Sequence, residues 1–498
     1  MSSLAEKVIA ASDQSGLKRA SSTKETTAYP TSSLSSSDTQ FYTPDSPKNE
    51  RKLTTKIDLK VIPIFGLLYL ICFLDRTNIA NARIAGLEIG LDMPTTGFNT
   101  CLWIFYIPFV LAEVPSNMFM SLSWVRPKYF LGAQTFILGL LAMYQGLTKS
   151  YNGLLAVRFL MGIVEAGLPA GAGLLIASYY RKKELSLRFA MFFAFGQSGS
   201  CFSGLLAYAI MDINGYSGVA GWRWIFIIEG LITIFFSIFV FIFTPDFPGK
   251  NTSLSDSERA RLVARLEADK GVESEAIRNV GWLKILTDYR IWITTVLFFC
   301  ADMSAGSLSS FNPTILSQLG WTKRRAQVMT IPVWIIGIVG ALISTLTAGH
   351  LNMRWPLILP SICISTIGWA IHVSNQQVAV RYLAQFLISF GTFCQMPLYI
   401  GLLTANLRGR ALQGAGTAII LGLGNCANFV ASNVFITTQA PGYPVGFGTG
   451  LGITTFAFPV MLGLMFVFGR HNRSIDRKIA ALRPGEELDN QVDFKYVY

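Results

Sequence analysis

Apolar residues in this chain of 498 residues come in long unbroken runs, with neither the alternation of a half-buried strand nor the one-sided stripe of a surface helix. A helix needs roughly 20 mostly apolar residues to cross the hydrocarbon of a bilayer. Twelve stretches meet that length, centred near residues 70, 110, 138, 165, 200, 233, 300, 338, 365, 388, 424 and 458. The polar segments between them divide the chain. Residues 1–55, rich in Ser and Thr (TSSLSSSDTQ from Thr31), bury too little apolar area to order and are expected to be a disordered cytosolic tail. No apolar core ahead of a small-residue cleavage site is present there, so no secretory signal peptide is expected. Thr43-Pro44 and Ser46-Pro47 are either phosphorylation sites or simply disordered sequence. The chain turns polar again from Pro245 to about Asp288, where Ser255-Asp-Ser-Glu258 predicts a capping box opening an amphipathic helix with Leu262 and Leu266 on one face. The expected division is a six-helix bundle over 56–245, a cytosolic linker over 246–287, a second six-helix bundle over 288–470 and a cytosolic tail over 471–498.

The two halves repeat. VRFLMGIVEAG from Val157 matches VRYLAQFLISFG from Val380, and nearly the same step along the chain leads from Arg126, after the second stretch, to Arg354, after the eighth. The predicted fold is therefore an all-α membrane protein, twelve transmembrane helices in two pseudo-symmetric six-helix bundles. Such duplication suits a transporter that rocks one bundle against the other around a site near the bilayer midplane.

Composition narrows the class further. With 51% hydrophobic and 14% charged residues, the chain has too few charges to coat a soluble globule of this length. The net charge of +12 is spread over loops: Arg126 and Lys128; Arg181, Lys182, Lys183 and Arg188; Arg354; Arg408 and Arg410; Arg470, Arg473, Arg477 and Lys478. All follow even-numbered stretches, so the positive-inside rule puts them, and both termini, in the cytosol. Lys323, Arg324 and Arg325 violate the pattern. The sequons Asn251-Thr252-Ser253 and Asn472-Arg473-Ser474 both fall on the side expected to be cytosolic. Dispersed basic residues favour anionic lipid over nucleic acid as their partner. The seven cysteines sit singly in apolar runs, and His350, His372 and His471 are isolated, so neither a disulfide framework nor a metal or other cofactor is expected. A phosphate-binding GxxxxGK[ST] loop is absent, which argues against an ATP-driven pump, and nothing points to an enzyme.

The informative residues are charges inside apolar runs, because an ionised side chain there is costly and implies function. Asp75 and Arg76 interrupt the first stretch, and Arg158 and Glu165 the fourth. The position matching Glu165 in the second half is Ile388, so the scaffold does not need an acid there. Two helical turns separate Arg158 from Glu165, which places both on nearly one face about 10.5 Å apart. That spacing suits a cavity wall with one anion-binding and one proton-binding group. Asp75 and Arg76, as neighbours, point about 100° apart and face different partners. The competing reading pairs Asp75 with Arg158 and Arg76 with Glu165 as structural bridges, although buried ion pairs stabilise poorly compared with apolar packing.

Other polar groups have weaker claims. Glu113, beside Pro115, is expected to latch onto Arg126 or Arg188 as a gate. Glu229 is expected to pair with Arg223, and Asp302 has no evident partner; both are read as structural. Asn312-Pro313 predicts a broken helix whose freed carbonyl faces the cavity. Gln197, Gln395 and Asn425 are substrate-contact candidates that serve equally well as helix-to-helix ties.

LDRTNIANARIAGL, YIPFVLAEVPSN, RFLMGIVEAGLPAG, GWRWIFIIEG, FNPTILSQLGWT and QAPGYPVGFGTG, in that order over roughly residues 55 to 470, resemble the fungal allantoate permease branch of the anion:cation symporter family, within the major facilitator superfamily. The resemblance implies proton-coupled uptake of a small organic anion across the plasma membrane by a monomeric carrier. It implies that Asp75 and Glu165 carry protons and that Arg76 and Arg158 bind the anion. Branch members carry allantoate, nicotinate, pantothenate, biotin, sulfonates or cysteine, and GNCANFVASNVF and MTIPVW lean to the vitamin and sulfonate carriers. LTANLRGRA keeps only Asn406 of an Asn-Asn pair common in the family, and WVRPKY replaces a glycine-rich basic turn. The alternative, a nutrient receptor of transporter fold, would normally carry a long cytosolic extension, whereas the segment from His471 to Tyr498 is short.

Overall fold

The structure, a computed structural model, describes residues 47–122, 124–210, 213, 215–270, 285–351, 353–374, 377–407, 410–481 and 495–497. Most of the expected N-terminal tail, including Thr43-Pro44 and Ser46, lies outside the described residues. Twelve helices are long and apolar enough to cross a membrane: Asn49–Ile84, Gly97–Met120, Pro127–Leu147, Tyr151–Tyr179, Leu187–Ile210, Gly221–Phe243, Tyr289–Gln318, Lys323–Leu351, Trp355–Ser374, Val378–Asn406, Leu412–Val434 and Pro444–Ala480. They are called spans 1 to 12 below. Each expected centre falls within one of them, and no strand occurs among the described residues.

The pairing of spans makes the duplication visible. Span 1 packs on span 5, span 2 on span 4 and span 3 on span 6; in the second half span 7 packs on span 11, span 8 on span 10 and span 9 on span 12. The contacts between halves obey the same symmetry, with span 5 against span 8 and span 2 against span 11, while span 1 meets span 7 at the centre. Small residues set these approaches, since without a hydrophobic drive between helices in lipid close backbone packing must hold them. A Cβ on Gly199 would lie 2.2 Å from the Leu70 carbonyl oxygen, and one on Gly162 would lie 2.2 Å from that of Phe105. Large apolar side chains such as Phe235, Ile242 and Phe466 point outward.

Three element boundaries differ from expectation. The first helix begins at Pro47, not after residue 55, because its polar first turns are tied to neighbouring elements: Arg181 donates to Glu50 at 3.2 Å, Arg265 donates to Thr54 at 3.0 Å, and Lys56 pairs with Glu258 at 2.7 Å. The last helix runs into the expected tail as far as Ala481. Its end is joined to the chain terminus by Asn472, whose amide exchanges two hydrogen bonds with the Tyr496 backbone, while Asn406 does the same with Val497. Span 7 does not break at Asn312-Pro313; the helix continues from Tyr289 to Gln318. Packing on both sides carries the missing bond, and Pro313 still leaves the Ser309 carbonyl without its i+4 donor.

The linker helix, Asp256–Lys270, opens with the expected box: Ser255 N–H donates to the Glu258 carboxylate and Glu258 N–H to the Ser255 hydroxyl. The bond from Lys56 and the one from the Ser255 backbone hold the Glu258 carboxyl down at about 2. Leu262 and Leu266 are buried, and Arg265 bonds Thr54 and Glu184, so this helix lies against the ends of spans 1 and 5. That side of the molecule is the linker face. On the opposite face the halves are joined. Asn99 donates to the carbonyls of Ser432 and Phe435, Arg83 donates to Thr437, and Phe311 stacks on Phe435 while meeting Phe98 edge to face.

Candidate functional site

Span 4 is interrupted at Ala166, one residue after Glu165, between helices Tyr151–Glu165 and Gly167–Tyr179. Ala166 keeps right-handed helical angles, and Gly167 lets span 4 approach span 2 closely, since a Cβ there would lie 2.0 Å from Ser116 Oγ. The fully buried Glu165 carboxylate meets span 1, where Arg76 Nε donates to Glu165 Oε1 at 2.6 Å. The Arg76 guanidinium is held over the Phe109 ring, its Cζ 4.6 Å from the centroid, and is 12% exposed. That remaining exposure matters, because Arg76 lines a cavity between the halves.

The cavity has a volume of about 50 Å³. A six-membered ring occupies a cavity of about 150 Å³, so the walls must part to admit one. Tyr69, Phe73, Tyr106, Phe193, Trp334 and Phe393 supply aromatic surface. The polar lining is Arg76 and Gln197 from the first half and Asp302, Ser309 and Asn428 from the second. Asn428 Nδ2 donates to Asp302 Oδ2 at 2.8 Å.

The remaining charges of the first half lie behind this wall. Asp75 is buried, with Arg158, Arg76 and Gln145 as its electrostatic neighbours and no hydrogen bond to either oxygen. Arg158 is also buried, Nε and Nη2 unpartnered, and is not among the cavity residues. The pairing of Arg76 with Glu165, and the proximity of Arg158 to Asp75, is thus the arrangement that the sequence admits as simple bridges; only one of the two arginines reaches the cavity. Glu229 is a third buried acid in this group, next to Asp75 and Asn78 and without a hydrogen bond. Its expected pairing with Arg223 is absent, because Arg223 donates to the carbonyls of Gly146 and Thr148 at the end of span 3.

Other expectations are redistributed. Gln197 faces the cavity as a contact candidate should. Gln395 does not: it bonds Ser365 and Tyr399 within the second half. Asn312 is buried and is not among the cavity residues, and Asn425 bonds its own helix at Leu421. The expected latch from Glu113 to Arg126 or Arg188 is not formed. Arg188 is taken by Asp58 through two bonds of 3.1 and 2.9 Å, Arg126 stands just before span 3, and Glu113 is buried near Gly422 of span 11. Of the polar cavity residues, sequence reasoning misses Ser309 and Asn428 and reads Asp302 as structural. Asp302 carries the same signal as Asp75, an acid inside an apolar run, and Asn428 lies in GNCANFVASNVF one turn past Asn425.

Residues 65–431 match the Major Facilitator Superfamily. The chain belongs to that superfamily. Among its relatives, the MFS transporter prlL of Fungal sp. (strain NRRL 50135) is 30% identical over 456 residues, covering 88% of this chain and 90% of its own. The high-affinity nicotinic acid transporter of Saccharomyces cerevisiae is 26% identical over 470 residues, covering 90% of this chain and 85% of its own. A bacterial homologue of the human lysosomal transporter Spinster, solved in an inward-facing and occupied conformation, superposes with a TM-score of 0.63 at 14% identity, covering 86% of this chain and 98% of that one. The fold is that of a Major Facilitator transporter, and the chain is a multi-pass membrane protein whose relatives are named as transporters. In that fold the cavity between the halves is where alternating access acts on a substrate.

Proposed function

We infer that this chain is a proton-coupled importer of a small organic anion, of the allantoate permease branch, acting as a monomer in the plasma membrane with the linker face and both termini cytosolic. The observation that carries the reading is the Arg76–Glu165 pair. One guanidinium at the cavity wall is held from behind by one carboxylate. A proton on Glu165 weakens that bond and frees Arg76 for an incoming carboxylate or sulfonate, while deprotonation reclaims Arg76 and expels the anion. Substrate and proton therefore use one arginine in turn. Asp75, with Arg158 beside it, provides a second proton site behind the wall, so the role of Arg158 becomes that of charge partner more than direct ligand.

The energetics favour the coupling. Moving one anion into a negative cell costs about 2.3 kcal/mol per 100 mV. One proton moving with it cancels that charge and adds about 1.4 kcal/mol per pH unit. The nicotinic acid relative supports an organic acid as cargo, and the aromatic lining favours a planar one. The shut opposite face, with Asn99 and Arg83 bridging the halves, fits a state closed to the outside.

Uptake of a panel of labelled organic anions and their neutral amides into cells lacking related carriers, at two external pH values, tests the reading. An acid accumulated more strongly at the lower pH, with its amide a poor competitor, supports it. Uptake indifferent to pH, or equal competition by the amide, contradicts it.

A further inference from the structure

Asp302 is buried inside span 7, and among the described residues no cation pairs with it. Its carboxylate is oriented by Asn428, whose amide nitrogen donates to Oδ2 at 2.8 Å and also reaches the Asn425 carbonyl at 3.2 Å. Gly306 makes that placement possible, since a Cβ there would lie 2.1 Å from Asn428 Oδ1. Arg76, the cationic group of the cavity, is engaged by Glu165. Arg76 is the charge that acts on Asp302 across the cavity, but it gives its hydrogen bond to Glu165, so the Asp302 oxygen not held by Asn428 is left for something in the cavity to complete.

The same helix face offers more of one kind of group. Asp302, Ala305, Gly306 and Ser309 follow the i, i+3, i+4, i+7 pattern and all line the cavity. Pro313 has no N–H to give to the Ser309 carbonyl, which leaves a second acceptor two turns from Asp302. Ala305 and Gly306, between the acceptors along the helix, carry no bulky side chain, and Trp334 and Phe393 also line the cavity. The first-half wall thus presents the cation, Arg76, and the second-half wall the carboxylate, Asp302.

We propose that Asp302, oriented by Asn428, is the second recognition pole of the cavity and binds an N–H donor of the substrate, so that the cargo is a planar acid carrying an amino group or protonated ring nitrogen opposite its carboxylate. This rests on the reading of Arg76 as the anion ligand and adds what lies across from it. A substrate with both ends engages both halves at once, which is what draws them together. An acid lacking the donor leaves a buried carboxylate unsatisfied and is rejected on that account.

The test compares 3-aminobenzoate with 3-methylbenzoate, equal in shape and differing in the donor, binding to the purified full chain in detergent. Wild type is expected to bind 3-aminobenzoate about tenfold or more tighter, and Asp302→Asn to reduce that ratio below about threefold. Asn428→Ser, which releases the carboxylate without removing it, is expected to give an intermediate ratio. If Asp302→Asn fails to fold, the wild-type ratio alone decides. Equal binding of the two acids by wild type overturns the second pole and leaves the anion reading standing. Binding of neither, while another acid of the uptake panel is still accumulated at low external pH, overturns the class proposed here and spares the coupling. Failure of every acid in both assays removes both readings.

Discussion

Arg158 and Arg381 occupy matching positions of the repeated sequence, yet they keep different company. Arg158 lies beside the unpartnered Asp75 in the middle of the first half. Arg381 sits near the opposite face, 3.5 Å from His372 and over the Phe447 ring. Asp75 and Asp302 invite the same comparison, because the step along the chain from one to the other is nearly that from Arg126 to Arg354. Asp75 is followed by Arg76, whereas Asp302 is followed by Met303. The halves share their helix pairing and differ in charge. The first gathers three buried carboxylates, Asp75, Glu165 and Glu229, into one group with two guanidiniums, Arg76 and Arg158. With all five ionised one negative charge is left over, and one proton neutralises it. The difference teaches that a duplicated scaffold can concentrate ion chemistry in one bundle and leave the other to read the cargo.

The comparison breaks first at the arginines. Arg76→Lys should raise the apparent KM for the acid roughly tenfold to a hundredfold, since an ammonium cannot hold a carboxylate through two parallel bonds. Arg381→Lys should change it less than about threefold, because its partners lie outside the cavity. Kinetics of labelled-acid uptake at matched surface expression read both. If Arg381→Lys is the more damaging, the assignment of anion chemistry to the first half is wrong.

A smaller effect is expected from Glu229→Gln. Neither Glu229 oxygen has a hydrogen bond to lose, and the substitution removes the surplus charge. Thermal unfolding of the detergent-purified protein at neutral pH should show an unchanged or raised Tm. A clear fall would mean that Glu229 is a structural tie. The smallest effect is at the opposite face. Asn99→Ala removes two bonds between halves, each worth about 1 kcal/mol net, and should raise labelling of a cysteine placed at Ser309 from outside the cell by a few-fold. No change would mean that the ring stack, and not Asn99, closes that face.

The repeat, the twelve spans and the linker cap are all legible in the residues, because each depends on runs or spacings along one segment. The boundaries that differ depend on what covers them. Residues 47–56 are too polar to fold alone and are helical where Arg181, Arg265 and Glu258 meet the first helix. Within the site, Arg76 and Gln197 stand where the sequence puts them and Arg158 does not. An i, i+7 spacing says that Arg158 and Glu165 share a face, but not which neighbouring span covers each of them. Asn425 and Asn428 show the same limit: one turn apart in sequence, they lie on either side of the helix break at Cys426, and only Asn428 turns inward. The aromatic walls give no signal, since one Phe among 36 does not announce which face it takes.

The central claim is that Glu165 and the substrate compete for Arg76 and that a proton decides between them. Glu165→Gln in proteoliposomes tests it most directly, by comparing accumulation driven by an inward proton gradient with exchange of internal for external acid. The account predicts that accumulation, about tenfold per pH unit for one coupled proton, collapses to equilibration, while exchange persists because a neutral side chain imitates the protonated state. Accumulation that remains as steep as in wild type would contradict it.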